Sequence, residues 1–269
     1  MIQGFAALPM YTAPERVAQA SELWLARIFE LLGAQRMEST TFGLPELWLS
    51  ELWLSERLVL AQTCGYPLMT LLRGKVRLIG RPAYELPNSA NGQHCSLLLV
   101  RADDPRDELK DFFGSHGLIN SEDSNSGMNL LRHSLAPLQR DGRFFSQVSQ
   151  TGGHRHSMRW LKEGRGDLAA IDSVTYDYLA RDTSPEVSGL RILARTASGP
   201  CLPYITALSA DAAQAEAIRQ AMNQALVDLP DVAQVLAISK VLRAHEDDYQ
   251  VLLDYEQQAA RQGLPLLLS

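Results

Sequence analysis

Hydroxyl and amide side chains follow one another at Ser124-Asn125-Ser126-Gly127, and apolar residues come next at Met128, Leu130, Leu131 and Leu135. That order reads as a turn running into a helix, since Ser and Asn are favoured at helix starts. The first turn of a helix has backbone N–H groups with no intrahelical acceptor and carries the positive end of the dipole. Side-chain donors beside such groups suit the oxygens of a small anion, although an ordinary capped helix uses the same residues. Three more turns of this kind occur, at Thr63-Cys64-Gly65, Gly152-Gly153-His154 and Asp172-Ser173. It is the recurrence that points beyond capping.

Each remaining candidate has a chemical reading beside a plainer one. His154 can donate to an anion or move a proton. With His156 it has i, i+2 spacing, which on a helix sets the two rings on different faces and suits a metal poorly. Cys64 is either a nucleophile served by His154 or a small apolar residue packed at a strand end. Asp172 either caps the helix that follows it or faces a cation carried by the ligand, and Ser173 and Tyr176 share its turn. Cys64, Cys95 and Cys201 form no CxxC pair and no metal-finger spacing, so no disulfide framework, structural metal or cofactor is expected. Trp48 and Trp53 belong to a tandem Glu-Leu-Trp-Leu-Ser repeat, a short duplication within one helix that packs its indoles in a core.

The elements that must position these residues alternate. Apolar runs at 4–10, 57–62, 76–80, 94–101, 144–148, 166–171 and 190–195 read as strands. Helical spacing appears from Pro14 to Leu32, through the Trp48–Trp53 repeat, after Tyr66-Pro67, after Ser126, around Ser157–Leu161 and after Asp172. The stretch from Arg81 to Gly92 reads as loop, and the chain from Asp211 onward as helix broken near Leu229-Pro230. Strands alternating with helices predict an α/β fold with parallel sheets, in which strand-to-helix turns lie at the carboxyl ends of strands, where ligands bind.

Bulk properties narrow the function classes. The 269 residues hold 46% hydrophobic and 21% charged residues, the balance of a soluble globular protein with one large or two ordinary domains. A net charge of −6 with no long run of one sign argues against nucleic-acid binding. No apolar run approaches the roughly 20 residues that cross a bilayer, so no direct membrane insertion is expected. The start, Met1 to Pro9, lacks a basic region and a proper apolar core for export. The expectation is a cytoplasmic protein, or a periplasmic one if the chain is a trimmed, mature form.

Taken in order, Leu60 to Pro67, His94 to Asp103, Asp123 to Asn129, Thr151 to His154 and Gly166 to Ser173 resemble the phosphonate-binding, periplasmic-type substrate-binding proteins. The resemblance covers roughly residues 1–205. It implies a two-lobed type 2 periplasmic-binding-protein-like fold, each lobe a mostly parallel sheet flanked by helices, with the ligand cleft between. With crossings near His94 and Arg195, lobe one would be 1–93 plus 199–269 and lobe two 94–198. By resemblance, Ser124, Asn125, Ser126 and Gly127 hold an anionic head, His154 is the turn histidine, and Asp172 faces an amine where the ligand has one. Tyr11, Thr63 and Cys64 would close the other side. The function implied is hinge closure of a monomer on a small anionic or zwitterionic metabolite, phosphonate- or phosphate-like, with an ABC permease as partner. Two departures stand out: Asn125 replaces a second hydroxyl, and no export signal is visible. A cytosolic enzyme on the same scaffold (a lyase or a cofactor-precursor synthase) and a ligand-sensing subunit are the competing classes.

Overall fold

The computed structural model describes residues 4–33, 37–39 and 46–267. In chain order its first elements are β1 (Gly4–Ala7), α1 (Glu15–Leu31), β2 (Met37–Ser39), α2 (Glu46–Trp53), β3 (Leu58–Gln62), α3 (Gly65–Met69) and β4 (Val76–Tyr84). Then come β5 (Ser89–Ala90), β6 (Gln93–His94), β7 (Ser96–Arg101), β8 (His116–Ile119), α4 (Leu130–Leu135), β9 (Gln147–Gln150), α5 (His154–Lys162), β10 (Leu168–Asp172) and α6 (Ser173–Arg181). The last are β11 (Leu190–Arg195), β12 (Gly199–Pro200), β13 (Tyr204–Ala207), α7 (Ala212–Asp228), α8 (Pro230–Leu236), β14 (Ile238–Leu242) and α9 (Glu246–Arg261). The chain divides into two compact units, Met1–Gln93 with Pro200–Asp248 and His94–Gly199 with Tyr249–Ser269.

In the first unit a six-stranded sheet runs β14-β4-β13-β3-β1-β2. Its strand β3, Leu-Val-Leu-Ala-Gln, is buried along its whole length, the pattern of a strand covered on both faces. Helix α1 buries Val17, Trp24 and Ile28 along one stripe. The Trp24 indole N–H donates to the Met222 carbonyl on α7 at 3.0 Å, and its ring stands edge-on to Tyr204 with centroids 5.8 Å apart. From the tandem repeat, Trp53 is core: it is buried, and its indole donates to the Gln62 carbonyl at 3.1 Å. The Trp48 side chain lies outside the described residues.

The second unit has a five-stranded sheet in the order β11-β7-β10-β8-β9. Leu98, Val100, Ile119, Leu131, Leu135, Phe144, Leu168 and Ala170 form its core, joined by Ala259 of α9 and by Leu264. Full burial of a Leu, Val or Phe side chain contributes about 1.5–3 kcal/mol. That drive seats the end of the chain here, whereas the sequence reading grouped all of 199–269 with the first lobe. Polar contacts reinforce it: Asn129 donates to the Leu252 carbonyl at 2.9 Å, and Arg132 to the Pro265 carbonyl at 2.6 Å. Arg132 is thus a buried bridge, 2% exposed.

Both sheets are mixed. β1 pairs in parallel with β2 and β3, and β8 with β9 and β10, while β13 with β3 and β4, β4 with β14, and β7 with β10 and β11 are antiparallel. Parallel neighbours need a crossover helix, and β8, β9 and β10 have them. Strands β7 and β11 begin and end the chain's first passage through the second unit, so no crossover dictates their direction. Strand β14 falls where helix was expected, and β13 lies in a stretch, 204–207, that the sequence reading left unassigned. β4 also runs on through Pro82, inside the predicted loop: Pro82 pairs only with Val241 of β14, so the ladder on its other side has already ended and its missing N–H costs nothing there. Between β7 and β8 the chain forms a 3-10 turn, Leu109–Phe112.

Candidate functional site

Strands β10, β8 and β9 are adjacent and parallel, so their carboxyl ends share one edge of the second unit's sheet. Each runs into one of the polar turns singled out from sequence: β8 towards Ser124–Gly127, β9 into Gly152–His154, β10 into Asp172-Ser173. Three turns separated by nearly 50 residues of sequence therefore stand side by side for a topological reason.

The first turn is wider than a normal helix start. Asn125–Asn129 forms a single π-helical turn, closed by the Asn129 N–H to the Ser124 carbonyl at 3.0 Å, before α4 begins. Such widened turns concentrate at functional sites. Ser124 is the cap: its Oγ accepts from the Gly127 N–H at 2.9 Å. Its hydroxyl is thus engaged in holding the turn, and Ser124→Ala should lower unfolding free energy by about 1 kcal/mol, the usual loss for a cap. Chemical denaturation measures it; an unchanged midpoint would show that the cap carries no stability. Gly127 is required by close approach, since a Cβ there would stand 2.6 Å from Cγ of the buried Asn120. Asn125 is 1% exposed and its amide oxygen accepts from Asn129 Nδ2 at 3.2 Å, so what it can present to a ligand is its own Nδ2.

Ser126 joins the first turn to the second. Its Oγ lies 2.9 Å from His154 Nε2, and its carbonyl accepts from Ser96 Oγ at 2.8 Å. His154 Nδ1 accepts from the Asp172 backbone N–H at 3.4 Å, which puts the ring proton on Nε2 and makes Ser126 Oγ an acceptor. The Ser126 hydroxyl proton is then left to point elsewhere, towards a ligand oxygen. Burial pushes the His154 pKa down to about 4, outweighing the pull of the Asp172 carboxylate and the Ala170 carbonyl, and His94 adds to the drop. The ring is the first residue of α5, where the helix dipole also disfavours a cation. Gly152, at φ +81°, supplies the left-handed conformation that swings the chain from β9 into that helix. Both His154 nitrogens are used within the second unit, so the reading of His154 as a base for Cys64 has no nitrogen left to serve it.

The third turn holds a buried ionic group. Asp172 caps α6, its Oδ1 accepting from the Thr175 N–H at 3.0 Å. Its Oδ2 lies 2.9 Å from Nδ1 of His94, at ion-pair distance but off the line of a hydrogen bond, with the two side chains 3% and 1% exposed. Burial alone pushes the Asp172 carboxyl up; His94, His154 and the Thr175 N–H together hold it below the usual carboxylate value. Ser173 is fully buried and knits the start of β7 to α6: its Oγ accepts from the Cys95 N–H at 3.4 Å and its N–H donates to the Cys95 carbonyl at 3.0 Å. Tyr176 is half-buried, and burial followed by Asp177 raises its phenol pKa. Sequence reasoning missed His94 and Ser96 as site residues; both had been counted only as members of a strand. Two polar residues at the start of an otherwise apolar run, His94 and Ser96 before Leu97–Val100, were the available signal.

Tyr11, Thr63 and Cys64 belong to the first unit. Tyr11 is buried edge-on against Tyr84, centroids 6.0 Å apart. Thr63 is fully buried, with its N–H on the Pro203 carbonyl at 3.1 Å, and Cys64, half-buried, stands just before α3. Among the described residues, no group of three or more His, Cys, Asp or Glu side chains is placed to hold a metal, and no helix is long and apolar enough to cross a membrane.

Known proteins resemble this chain in fold and in family pattern. A binding-protein component of an ABC phosphonate transporter from Pseudomonas aeruginosa superposes with a TM-score of 0.80 at 15% identity, over 97% of this chain and 88% of that one. PhnD1 from Prochlorococcus marinus, in complex with methylphosphonate, gives 0.75 at 11% identity over 96% and 98%. XAC2383 from Xanthomonas citri, bound to ATP, gives 0.69 at 16% over 97% and 98%. At such identities the likeness is one of fold, the two-lobed α/β fold of periplasmic binding proteins. No curated protein matches significantly by sequence. The sequence pattern of the family described as "ABC transporter, phosphonate, periplasmic substrate-binding protein" does match, over residues 51–249, a span that takes in all three turns of the second unit's sheet edge. With about three-quarters of its length inside that pattern, the chain belongs to the phosphonate-binding family of ABC-transporter substrate-binding proteins.

Proposed function

We propose that the turn edge of the second unit binds the head of a small phosphonate- or phosphate-like anion, and that the protein serves as a monomeric binding component for an ABC permease. The observation that carries this reading is the relay from the Asp172 N–H through His154 to Ser126 Oγ, which orients a hydroxyl as a donor beside the first N–H groups of the Asn125 turn. Charge-assisted bonds from such donors are what a phosphoryl oxygen rewards. Ser126, the Asn125 Nδ2 and the backbone N–H groups before Gly127 are the contacts assigned to the anion. His154 orients them, Gly127 lets the turn close on Asn120, and Asp172, Ser173 and Tyr176 form the wall beside them.

Isothermal titration with phosphate, phosphite and methylphosphonate tests the reading directly. At least one should bind, and Ser126→Ala should weaken that binding more than ten-fold, or about 1.4 kcal/mol. Absence of heat and of thermal shift with all three would remove the proposal. Unchanged affinity in the variant would remove the assignment of Ser126.

A further inference from the structure

We propose that this site selects an anion that carries no ammonium group, because His94 already occupies the carboxylate that such a group would need. The inference rests on the anion-binding reading above and adds the class of ligand.

Asp172 is a buried acidic side chain beside the anion turn, and both of its oxygens already face a group of the protein. One oxygen accepts from the Thr175 N–H at 3.0 Å, and the other has the His94 imidazole at 2.9 Å. Both side chains are almost wholly buried, at 3% and 1% exposure, so solvent does not loosen the pair. The backbone on either side is pinned. Cys95 and Ser173 exchange two hydrogen bonds, at 3.4 and 3.0 Å. The Ser96 N–H donates to Thr196 Oγ1 at 2.9 Å, and Ser96 Oγ reaches the Ser126 carbonyl at 2.8 Å.

His94 therefore cannot swing aside without pulling on the same strand that braces Ser126. A ligand ammonium would have to displace a buried imidazole and leave it without its counter-charge, which is strongly unfavourable. If the imidazole is charged, the ammonium would also meet a like charge at contact distance. A phosphonate with an alkyl group in place of the amine meets neither penalty.

Ethylphosphonate and aminomethylphosphonate are near-isosteres that differ by a methyl against an ammonium, and their affinities measured by titration calorimetry make the test. The wild-type protein should bind ethylphosphonate at least ten-fold more tightly. His94→Gln, which exposes the Asp172 oxygen while keeping a polar side chain, should shift the ratio of affinities at least ten-fold towards aminomethylphosphonate. Tighter binding of aminomethylphosphonate by the wild type overturns the inference, as does an unchanged ratio in a variant that still binds both. A site that takes methylphosphonate but neither larger ligand discriminates by size and also overturns it. Should His94→Gln fail to fold, the wild-type ratio and Asp172→Asn decide: a selective loss of aminomethylphosphonate in the latter means Asp172 was the amine's partner after all. If no phosphonate binds at all, the anion-binding reading fails first and this inference goes with it.

Discussion

Asp172→Ala should destabilise the protein by about 3–5 kcal/mol, the range for removing one partner of a buried ion pair. Two losses combine in that variant. His94, 1% exposed, keeps its place but loses the charge 2.9 Å away, and α6 loses the cap that Asp172 Oδ1 gives to the Thr175 N–H. Asp172→Asn separates them, because an Asn side chain still caps a helix. It should recover about 1 kcal/mol of the deficit, leaving the remainder as the cost of an uncompensated His94. A double variant with His94→Leu should be less destabilised than the sum of the single changes, since an apolar pair of similar volume leaves no stranded group. Urea unfolding of the four proteins gives the cycle. Strict additivity would mean that the two side chains stand close without interacting, and would take away the basis for treating them as a unit.

That pair also shows where reading the sequence stopped short. Asp172 was legible as a polar residue at a strand-to-helix turn, and its two readings, cap or charge partner, both describe what it does. What could not be read was the partner. His94 is 78 residues away in sequence and comes to Asp172 because β7 lies antiparallel beside β10, with Ser96 opposite Asp172 in the register. Pairing of distant strands is a tertiary fact that local spacing does not encode. The same limit explains β13 and β14, which are short strands completing the first sheet through neighbours over a hundred residues earlier. By contrast, three of the turns were legible because turn and capping chemistry is local: Ser124, Gly152 and Asp172 each satisfy a geometric demand within a few residues of themselves.

Capping chemistry alone could not say which turns stand together. The topology supplies the reason for three of them, since parallel β8, β9 and β10 put their ends on one edge. The roles within a turn then needed coordinates. Ser124, Asn125 and Ser126 looked equivalent as donors, yet one caps, one presents an amide nitrogen and one is set by a histidine. Cap, amide and oriented hydroxyl differ only in which neighbour each side chain reaches.

Acidification from pH 7 to pH 4.5 should cost the wild-type protein roughly 2 kcal/mol more stability than it costs His154→Gln. The sign follows from the direction of the shift. In the unfolded chain a histidine takes up its proton near pH 6.5, whereas folded His154 resists protonation until about pH 4. Between those values the unfolded state binds more protons, so stability falls as pH falls. The full difference of some 2.5 pKa steps would be worth about 3.4 kcal/mol; His154 is only half-buried, so solvent reduces it towards about 2. Above pH 6.5 both states are neutral at this residue and no dependence is expected from it. Asp172 acts elsewhere on the pH axis. Its carboxyl is held below the usual value, so its contribution stands above the unfolded carboxylate range and is lost only as pH drops further. Unfolding free energies at pH 7, 6, 5 and 4.5 decide the matter, and parallel curves for the two proteins would sink it. A neutral His154 at pH 7 is what the relay requires, for only then can Nδ1 accept from the Asp172 N–H while Nε2–H holds Ser126 Oγ in place. Because the folded-state ring stays neutral down to about pH 4, the oriented Ser126 donor outlasts the stability loss, and no change in methylphosphonate binding attributable to Ser126 is expected between pH 7 and pH 4.5.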